Sequence, residues 1–331
     1  MSQCEKLIVG LSLILYMDIN SNVSKFLIAL DLESNRDNLD VINSILNSSQ
    51  SFYRNFHIAK RNGGKRTIDS PYPTLSHLQK LICVRFGSKL EIHENSFAFV
   101  PGKSFIDHAK FHLGCSELLT LDIKDFFPSI TRQKVYEVFE HSGVSTMFAN
   151  YISYICTNDN YLPQGACTSP IISNASFYLS DVILEKIAKK FNLKYSRYAD
   201  DLAFSGDFIP RNLTSMVSRV LNAKGFNLNS GKTKLKVEGA KKIITGVSIT
   251  TGQLKVPKSF KRELRASIYE LEKFSLELYK MNNFDPLIYE KTLGKLNYVL
   301  QVEPENQYAS NKKNSLLAGY KELQKTGVIL N

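Results

Sequence analysis

The sequence predicts an α+β fold, and three patterns lead to this prediction. Two short strand-like runs, Lys194–Arg197 and Leu202–Gly206, flank the stretch Tyr198-Ala199-Asp200-Asp201, which is typical of a β-hairpin with an acidic tip. The apolar run Leu118–Ile123 contains β-branched residues and predicts a buried strand. Apolar residues at helical spacing, first over Ile171–Ala188 and again towards the C-terminus, predict helices that pack on these strands.

The N-terminal region predicts a small helical cap. Helical patterning occurs over Val23–Leu32 and again over Leu39–Leu46. The preceding apolar run, Leu7–Met17, is too short to span a bilayer. We therefore expect a buried helix or a peripheral strand there, and no membrane partner. Met1 and Met17 are both compatible with the natural start.

A basic hairpin turn follows the cap. Within Arg61–Ile68, Gly63 and Gly64 supply the turn, and Lys65 and Arg66 come directly after it. The segment lacks the Lys-Ser/Thr pair of a phosphate-binding P-loop. A solvated basic turn is the alternative interpretation.

Three carboxylates carry the chemistry that the sequence predicts. Asp122 ends the apolar strand, and Asp200 and Asp201 lie at the tip of the hairpin. Adjacent carboxylates repel each other and need a cation when they are partly buried. Hard oxygen ligands of this kind suit Mg²⁺, and two such ions can drive phosphoryl transfer. The alternative is a solvated acidic turn beside an unrelated strand-end Asp.

A third motif lies between the two acidic ones, and the ordered set resembles a known family. Leu162–Pro170 contains Gln164-Gly165 and precedes the predicted helix. Together the three motifs resemble the palm motifs of the reverse transcriptase family, over about Lys60 to Gly246. The resemblance implies a right-hand polymerase, with fingers, a palm with an antiparallel sheet, and a helical thumb. The implied segments are a cap at 1–50, fingers at 51–115, palm at 116–250, and an RNA-binding thumb at 251–331.

The resemblance implies roles for individual residues. Asp122 and Asp200 would be the main ligands of two Mg²⁺ ions, with Asp201 beside them and the Ile123 backbone carbonyl as a further ligand. Phe127 would lie under the sugar of the incoming nucleotide, where a flat ring leaves no room for a 2′-hydroxyl. The alternative for Phe127 is an ordinary core aromatic.

Further residues would hold the nucleotide and complete the reaction. Contacts to the incoming deoxynucleoside triphosphate are implied for Lys65, Arg66, Gln164 and Gly165. In the stretch Gly225–Lys234, Lys232 would protonate the departing pyrophosphate as a general acid. Lys234 is the second candidate, and a solvated basic turn is the alternative for both.

Two elements resemble those of bacterial retron reverse transcriptases. Ile244-Thr245-Gly246 resembles their Val-Thr-Gly element, and Asp107–Gly114 resembles their Asn-Ala-x-x-His element. His108 replaces the usual Asn, whereas His112 matches, so RNA contacts are implied for His112, Thr245 and Gly246. The retron resemblance implies copying of a structured non-coding RNA into branched single-stranded DNA (msDNA), in anti-phage defence with an effector protein. Zinc binding by the histidine pair is not supported, because no third ligand is evident.

Charge and cysteine usage agree with an RNA partner inside the cell. The formal net charge of +11 indicates a polyanionic partner. The basic residues nearest the thumb helices, which we expect to contact RNA, are Lys255, Lys258, Lys261, Arg262 and Arg265. The five scattered cysteines indicate a reducing cytoplasm rather than a disulfide framework.

Three alternatives stay open. The chain could be a non-retron defence or intron-type reverse transcriptase with different priming. A viral RNA-directed RNA polymerase is disfavoured by Phe127 and the Leu-Pro-Gln-Gly loop. A non-catalytic RNA-binding scaffold on the same fold would be expected to lose its acidic residues, and all three are present here.

Overall fold

The structure is a computed structural model that describes residues 20–60, 63–274, 285 and 287–325. The side chains of residue 274 and of residues 322–325 are not described. The apolar run Leu7–Met17 lies outside the described residues, as do Arg61 and Asn62 of the basic turn. The chain divides into two compact units. The first contains residues 1–103, 121–202 and 210–233, and the second contains residues 104–120, 203–209 and 234–331.

Helices dominate the first unit. They are α1 (residues 20–29), α2 (Arg36–Asn47), α3 (Pro73–Phe86), α5 (Arg132–His141), α6 (Thr146–Ile155), α7 (Ser169–Lys190) and α8 (Leu213–Ala223). Short polar residues begin several of them, as in α2, where the Asn35 side chain accepts a hydrogen bond from Asn38 N. Phe126, Phe177 and Phe226 pack together at ring-centroid distances between 5.0 and 5.9 Å and form part of the core.

The strands of the first unit carry the predicted motifs. They are β1 (Tyr53–Ala59), β2 (Lys65–Pro71), β4 (Lys194–Tyr198) and β6 (Asn227–Leu228), while β3 (Glu117–Lys124) and β5 (Asp201–Gly206) continue into the second unit. β1 and β2 form an antiparallel hairpin that pairs Ala59 with Lys65 across the glycine turn. The larger sheet has the strand order β4-β5-β3-β6, and β6 runs antiparallel to β3.

The second unit combines small antiparallel sheets with helices. Its elements are α4 (Phe105–Phe111), β7 (Lys234–Lys236), β8 (Ile243–Ile244), β9 (Val247–Ser248), α9 (Lys258–Phe274), α10 (Ile288–Val302) and α11 (Gln307–Lys325). β7 runs antiparallel to β3 at Leu118–Thr120. A capping box between Ser104 and Asp107 begins α4. Leu264, Ile268 and Leu271 bury one face of α9 in the core of this unit.

The fold is therefore α+β, as the sequence predicts. The acidic hairpin, the buried strand at Leu118–Ile123 and the helix over Ile171–Ala188 are all present, as β4-β5, β3 and α7. The division into cap, fingers, palm and thumb stays a prediction. Among the described residues, no helix has both the length and the apolar composition needed to cross a membrane.

Candidate active site

Two backbone hydrogen bonds bring the acidic motifs together. Ile123 N donates to the Asp200 carbonyl at 2.8 Å, which fixes the tip of the β4-β5 hairpin beside the end of β3. On the other side of β3, Asn229 N donates to the Asp122 carbonyl at 2.8 Å. This second bond places the 3₁₀ turn Ser230–Lys232 next to the carboxylates. Three segments that are distant in sequence thus meet at one point of the first unit.

The electrostatics of this point are those of a crowded carboxylate cluster. Asp122 is only 6% exposed, and its Oδ2 accepts a hydrogen bond from Lys232 Nζ at 2.7 Å. Loss of hydration raises the pKa of Asp200, and the charge of Asp122 adds to the effect, whereas Lys232 and Arg66 oppose it. Loss of hydration together with the charges of Asp200 and Asp122 raises the pKa of Asp201 to about 6. The hydrogen bond to Asp122 raises the pKa of Lys232. The cluster therefore favours a nearby cation.

Because of this repulsion, Asp201→Asn is expected to stabilise the protein when no divalent ion is present. A carboxyl whose pKa is raised by folding destabilises the folded state as pH rises from its ordinary pKa of 3.8 through about 6. At pH 7 the carboxyl is mostly ionised, but Asp201 is exposed and solvent screens its charge. Its removal should therefore raise Tm by only on the order of 2 °C. Below pH 4 the difference should disappear. Thermal unfolding in EDTA across this pH range measures both effects.

The matched control for this prediction is Asp207→Asn, which removes the same charge from an exposed position outside the cluster. Its Tm should follow the parent protein at every pH. An Asp201→Asn variant that is less stable than the parent at pH 7 would show that attraction to Lys232 outweighs repulsion between the carboxylates.

The Gln-Gly loop packs against the basic hairpin. Asp69 N in β2 donates to the Gln164 carbonyl at 2.9 Å. Gly165 has φ +138°, and a Cβ at this position would lie 2.7 Å from the Asp69 carbonyl oxygen. Asp69 is buried, and its Oδ1 accepts a hydrogen bond from Asn55 Nδ2 at 2.5 Å. Only glycine therefore fits at position 165, and β2 and the loop hold each other. The sequence alone did not single out Asp69, because this contact spans distant segments.

The side chains of Lys65 and Arg66 are exposed at the start of β2. The Arg66 guanidinium lies near enough to Asp200 for its charge to oppose the rise in the pKa of that carboxyl. The predicted nucleotide-binding cation and the predicted metal ligands are thus brought to the same side of the first unit.

The two phenylalanines after Asp122 have different environments. Phe126 is buried in the core, whereas Phe127 is only partly buried, with its ring centroid 5.7 Å from that of Phe126. The ring of Phe99 also lies near that of Phe127, at a centroid distance of 6.5 Å. Phe99 is 46% exposed and has φ +60°, a conformation that is uncommon for an aromatic residue. Sequence analysis missed Phe99, since nothing in its local pattern signals either feature.

The elements that suggested retron-type RNA contacts make contacts within the second unit. Thr245 Oγ1 donates to the Phe105 carbonyl at 3.1 Å, and Tyr298 Oη donates to the Gly246 carbonyl at 3.1 Å. His112 is fully buried and shares a 2.6 Å hydrogen bond with Ser205 Oγ. Direct RNA contact through the His112 side chain, which the sequence led us to expect, is not available in this arrangement. His112 instead fixes the segment after α4 within the core.

The basic residues around α9 present most of their charge to solvent. Lys255, Lys258, Arg262 and Arg265 are exposed. Lys261 differs, because its Nζ lies 2.7 Å from Glu303 Oε2 in a partly buried ion pair. The Arg265 guanidinium lies 5.4 Å from the Tyr308 ring centroid, which still leaves its charge accessible. Of the five predicted RNA-binding cations, Lys261 is therefore the one whose charge is paired with a described carboxylate.

Comparison with known proteins places this site in context. The family model described as reverse transcriptase (RNA-dependent DNA polymerase) matches residues 58–261. Among curated proteins, the Retron Mx162 reverse transcriptase of Myxococcus xanthus is 31% identical over 256 residues, covering 67% of this chain and 53% of the relative. The Retron Mx65 reverse transcriptase of the same organism is 30% identical over 263 residues, covering 73% and 61%. The Retron Ec86 reverse transcriptase of Escherichia coli is 28% identical over 243 residues, covering 72% and 76%. The match thus spans between about half and three fifths of the two Myxococcus relatives.

Proposed function

The chain belongs to the reverse transcriptase (RNA-dependent DNA polymerase) family, and from this premise we propose that it catalyses RNA-directed DNA synthesis. The observation that carries the proposal is the meeting of Asp122, Asp200 and Asp201 with Lys232 at one point, with Arg66 close enough to act on the same charges. Phosphoryl transfer needs this combination of anionic metal ligands and cations that bind phosphate.

The carboxylate cluster fits divalent metal ions by its chemistry. It supplies hard oxygen donors whose mutual repulsion a cation relieves, and Lys232 already supplies a positive charge to Asp122. Among the described residues, no three His, Cys, Asp or Glu side chains are already spaced to coordinate an ion. Asp122, Asp200, Asp201 and the Ile123 carbonyl would hold two Mg²⁺ ions. When bound, these ions supply activation of the attacking hydroxyl and stabilisation of the leaving oxygen.

Side chains of the protein supply the remaining functions, which are nucleotide binding and proton transfer. Lys65 and Arg66 bind the triphosphate, and Arg66 offers paired donors for it. Gln164 orients the nucleotide from the loop that Gly165 allows to approach closely. Lys232 holds a proton on Nζ, which its raised pKa retains at neutral pH, and delivers it to the leaving pyrophosphate.

Gly165→Ala tests the role of this loop. The added Cβ meets the Asp69 carbonyl oxygen, and Ala is strained at φ +138°, so the loop must move away from β2. The KM for deoxynucleoside triphosphate in primer extension on an RNA template should rise about tenfold. Gly294→Ala is the control, since it lies in α10 with no heavy atom within 4 Å of the added Cβ. An unchanged KM in Gly165→Ala would remove the loop from nucleotide binding.

The finer proposal is a retron reverse transcriptase. It is supported by the relatives' names and by the Thr245-Gly246 and His112 elements. The partners would be a structured non-coding RNA, its branched DNA product (msDNA) and an effector protein in anti-phage defence, in the cytoplasm. RNA would lie along the exposed cations Lys255, Lys258, Arg262 and Arg265. A non-retron or intron-type enzyme with different priming is the alternative.

Nucleic acid that co-purifies with the protein decides between these proposals. The protein would be expressed with its native upstream DNA, and the bound nucleic acid run on a denaturing gel with and without RNase or DNase. A short DNA whose mobility shifts after RNase, and which is absent from an Asp200→Asn preparation, would establish the branched product. Structured RNA without attached DNA would contradict the retron proposal and favour a scaffold or a different priming signal.

A further inference from the structure

A buried ion pair lies directly behind the acidic hairpin. Arg197 in β4 and Asp181 in α7 are both fully buried. Arg197 Nε donates to Asp181 Oδ1 at 2.9 Å, and Nη2 donates to Asp181 Oδ2 at 2.7 Å. Tyr195 Oη also donates to Asp181 Oδ1 at 2.6 Å. The paired carboxylate fixes the plane of the guanidinium, because both of its oxygens are engaged.

The remaining nitrogen of this guanidinium points to the turn that carries the catalytic residues. Arg197 Nη1 donates to the Ala199 carbonyl at 3.3 Å and to Asn174 Oδ1 at 2.9 Å. Ala199 has φ +55°, in the left-handed region that disfavours residues with a Cβ. The next residue is Asp200, whose own carbonyl accepts from Ile123 N. One side of the turn is therefore held by β3 and the other by Arg197.

The same network reaches a second segment beside the site. Asn174 Nδ2 donates to the Ala98 carbonyl at 2.8 Å, and Phe97 N donates to the Arg197 carbonyl at 2.8 Å. Phe99, whose ring neighbours that of Phe127, follows at once with its own left-handed conformation. Burial of an ion pair is costly unless hydrogen bonds compensate for the lost hydration, and here those hydrogen bonds also fix backbone at the site.

We propose that Arg197 is a positioning residue that, anchored by Asp181 and Asn174, holds Ala199 in its left-handed conformation and thereby sets the metal-binding geometry of Asp200 and Asp201. This inference rests on the proposed function, because it assigns the two carboxylates to a divalent ion. Arg197 itself touches neither substrate nor metal; it acts through the hydrogen bond to Ala199.

Arg197→Lys tests this proposal with the charge opposite Asp181 retained. A single ammonium cannot reach Asp181, Asn174 and Ala199 together. Mn²⁺ binding, followed by the electron paramagnetic resonance signal of the free ion, should weaken about tenfold. The Mg²⁺ concentration for half-maximal primer extension should rise by a similar factor, with the KM for deoxynucleotide unchanged at saturating Mg²⁺. Arg219→Lys, exposed on α8, is the control and should change neither quantity.

A rescue experiment distinguishes a positioning role of Arg197 from a merely structural role. Adding Ala199→Gly removes the penalty of the left-handed conformation, so the double variant should recover Mn²⁺ affinity by about fivefold relative to Arg197→Lys. Should Arg197→Lys fail to fold, Asn174→Ser is the second variant, because it keeps the ion pair and weakens the hydrogen bonding of Arg197 Nη1. Mn²⁺ binding should then weaken about threefold, and Ala199→Gly should restore it.

Two results would overturn the proposal: unchanged Mn²⁺ affinity in folded Arg197→Lys, or a loss that follows Tm and is not rescued by Ala199→Gly. The proposed function fails separately. Suppose that the parent protein binds Mn²⁺ through Asp200 and that the Arg197→Lys defect and its rescue are observed, but that no primer is extended. This result would support the positioning role of Arg197 and reject polymerase activity.

Discussion

Asp200→Asn is expected to abolish DNA synthesis and to leave RNA binding intact. The substitution keeps the size of the side chain and removes the charge that faces Asp122 and Asp201. A metal ligand is lost while Lys232 and Arg66 keep their positions, so the defect should lie in the chemical step. We expect primer extension to fall by on the order of 10³-fold or more. RNA affinity, measured by fluorescence anisotropy, depends on cations elsewhere and should change less than twofold.

Stability cannot explain such a loss. Removal of a charge whose pKa is raised by its surroundings is expected to stabilise the protein, so Asp200→Asn should be folded at least as well as the parent protein. Asp207→Asn, an exposed carboxylate close in sequence, should keep full activity. Activity of Asp200→Asn near the parent value with Mg²⁺ would refute the assignment of Asp200 as a metal ligand.

The features that the sequence predicted correctly depend on local pattern. The strand runs on either side of Asp200-Asp201, the apolar run before Asp122, and the helical spacing over Ile171–Ala188 each specify one element by its periodicity. Glycines at 63 and 64 specify the hairpin turn in the same way, and both have positive φ. The meeting of the acidic motifs at one point was a hypothesis that the family resemblance strengthened, because local pattern does not place distant strands side by side.

The features that the sequence did not reveal depend on contacts between distant segments. The charge of Arg197, in a buried strand, is paired with Asp181 on α7, and neither residue indicates the other in sequence. The backbone contact of Asp69 with Gly165 leaves no compositional trace. His112 was expected to face RNA, yet a hydrogen bond between this residue at the end of α4 and Ser205 in β5 lets the imidazole be buried. An Arg in the middle of a predicted strand was an available signal, since a fully buried charge requires a partner.

Phe127→Ala is expected to admit ribonucleotides. The ring is partly exposed, lies five residues after Asp122 in the sequence, and neighbours the rings of Phe126 and Phe99. If the ring excludes a 2′-hydroxyl by contact, its removal should raise the ratio of kcat/KM for ribonucleotide over deoxynucleotide by roughly 10- to 200-fold. Most of the change in this ratio should come from a higher kcat/KM for the ribonucleotide. Single-nucleotide extension with each substrate, at equal Mg²⁺, measures the ratio.

Two further variants isolate the steric effect from lost packing. Phe127→Tyr keeps the flat ring and should keep the parent's discrimination against ribonucleotides. If Phe127→Ala caused only a packing defect, kcat/KM for both nucleotides would fall equally. Phe208→Ala removes an aromatic ring that is 62% exposed elsewhere in the chain and should leave the ratio unchanged. A Phe127→Ala enzyme that is folded and active yet discriminates as the parent does would place the sugar away from this ring. Exclusion of the 2′-hydroxyl would then have to come from another part of the site.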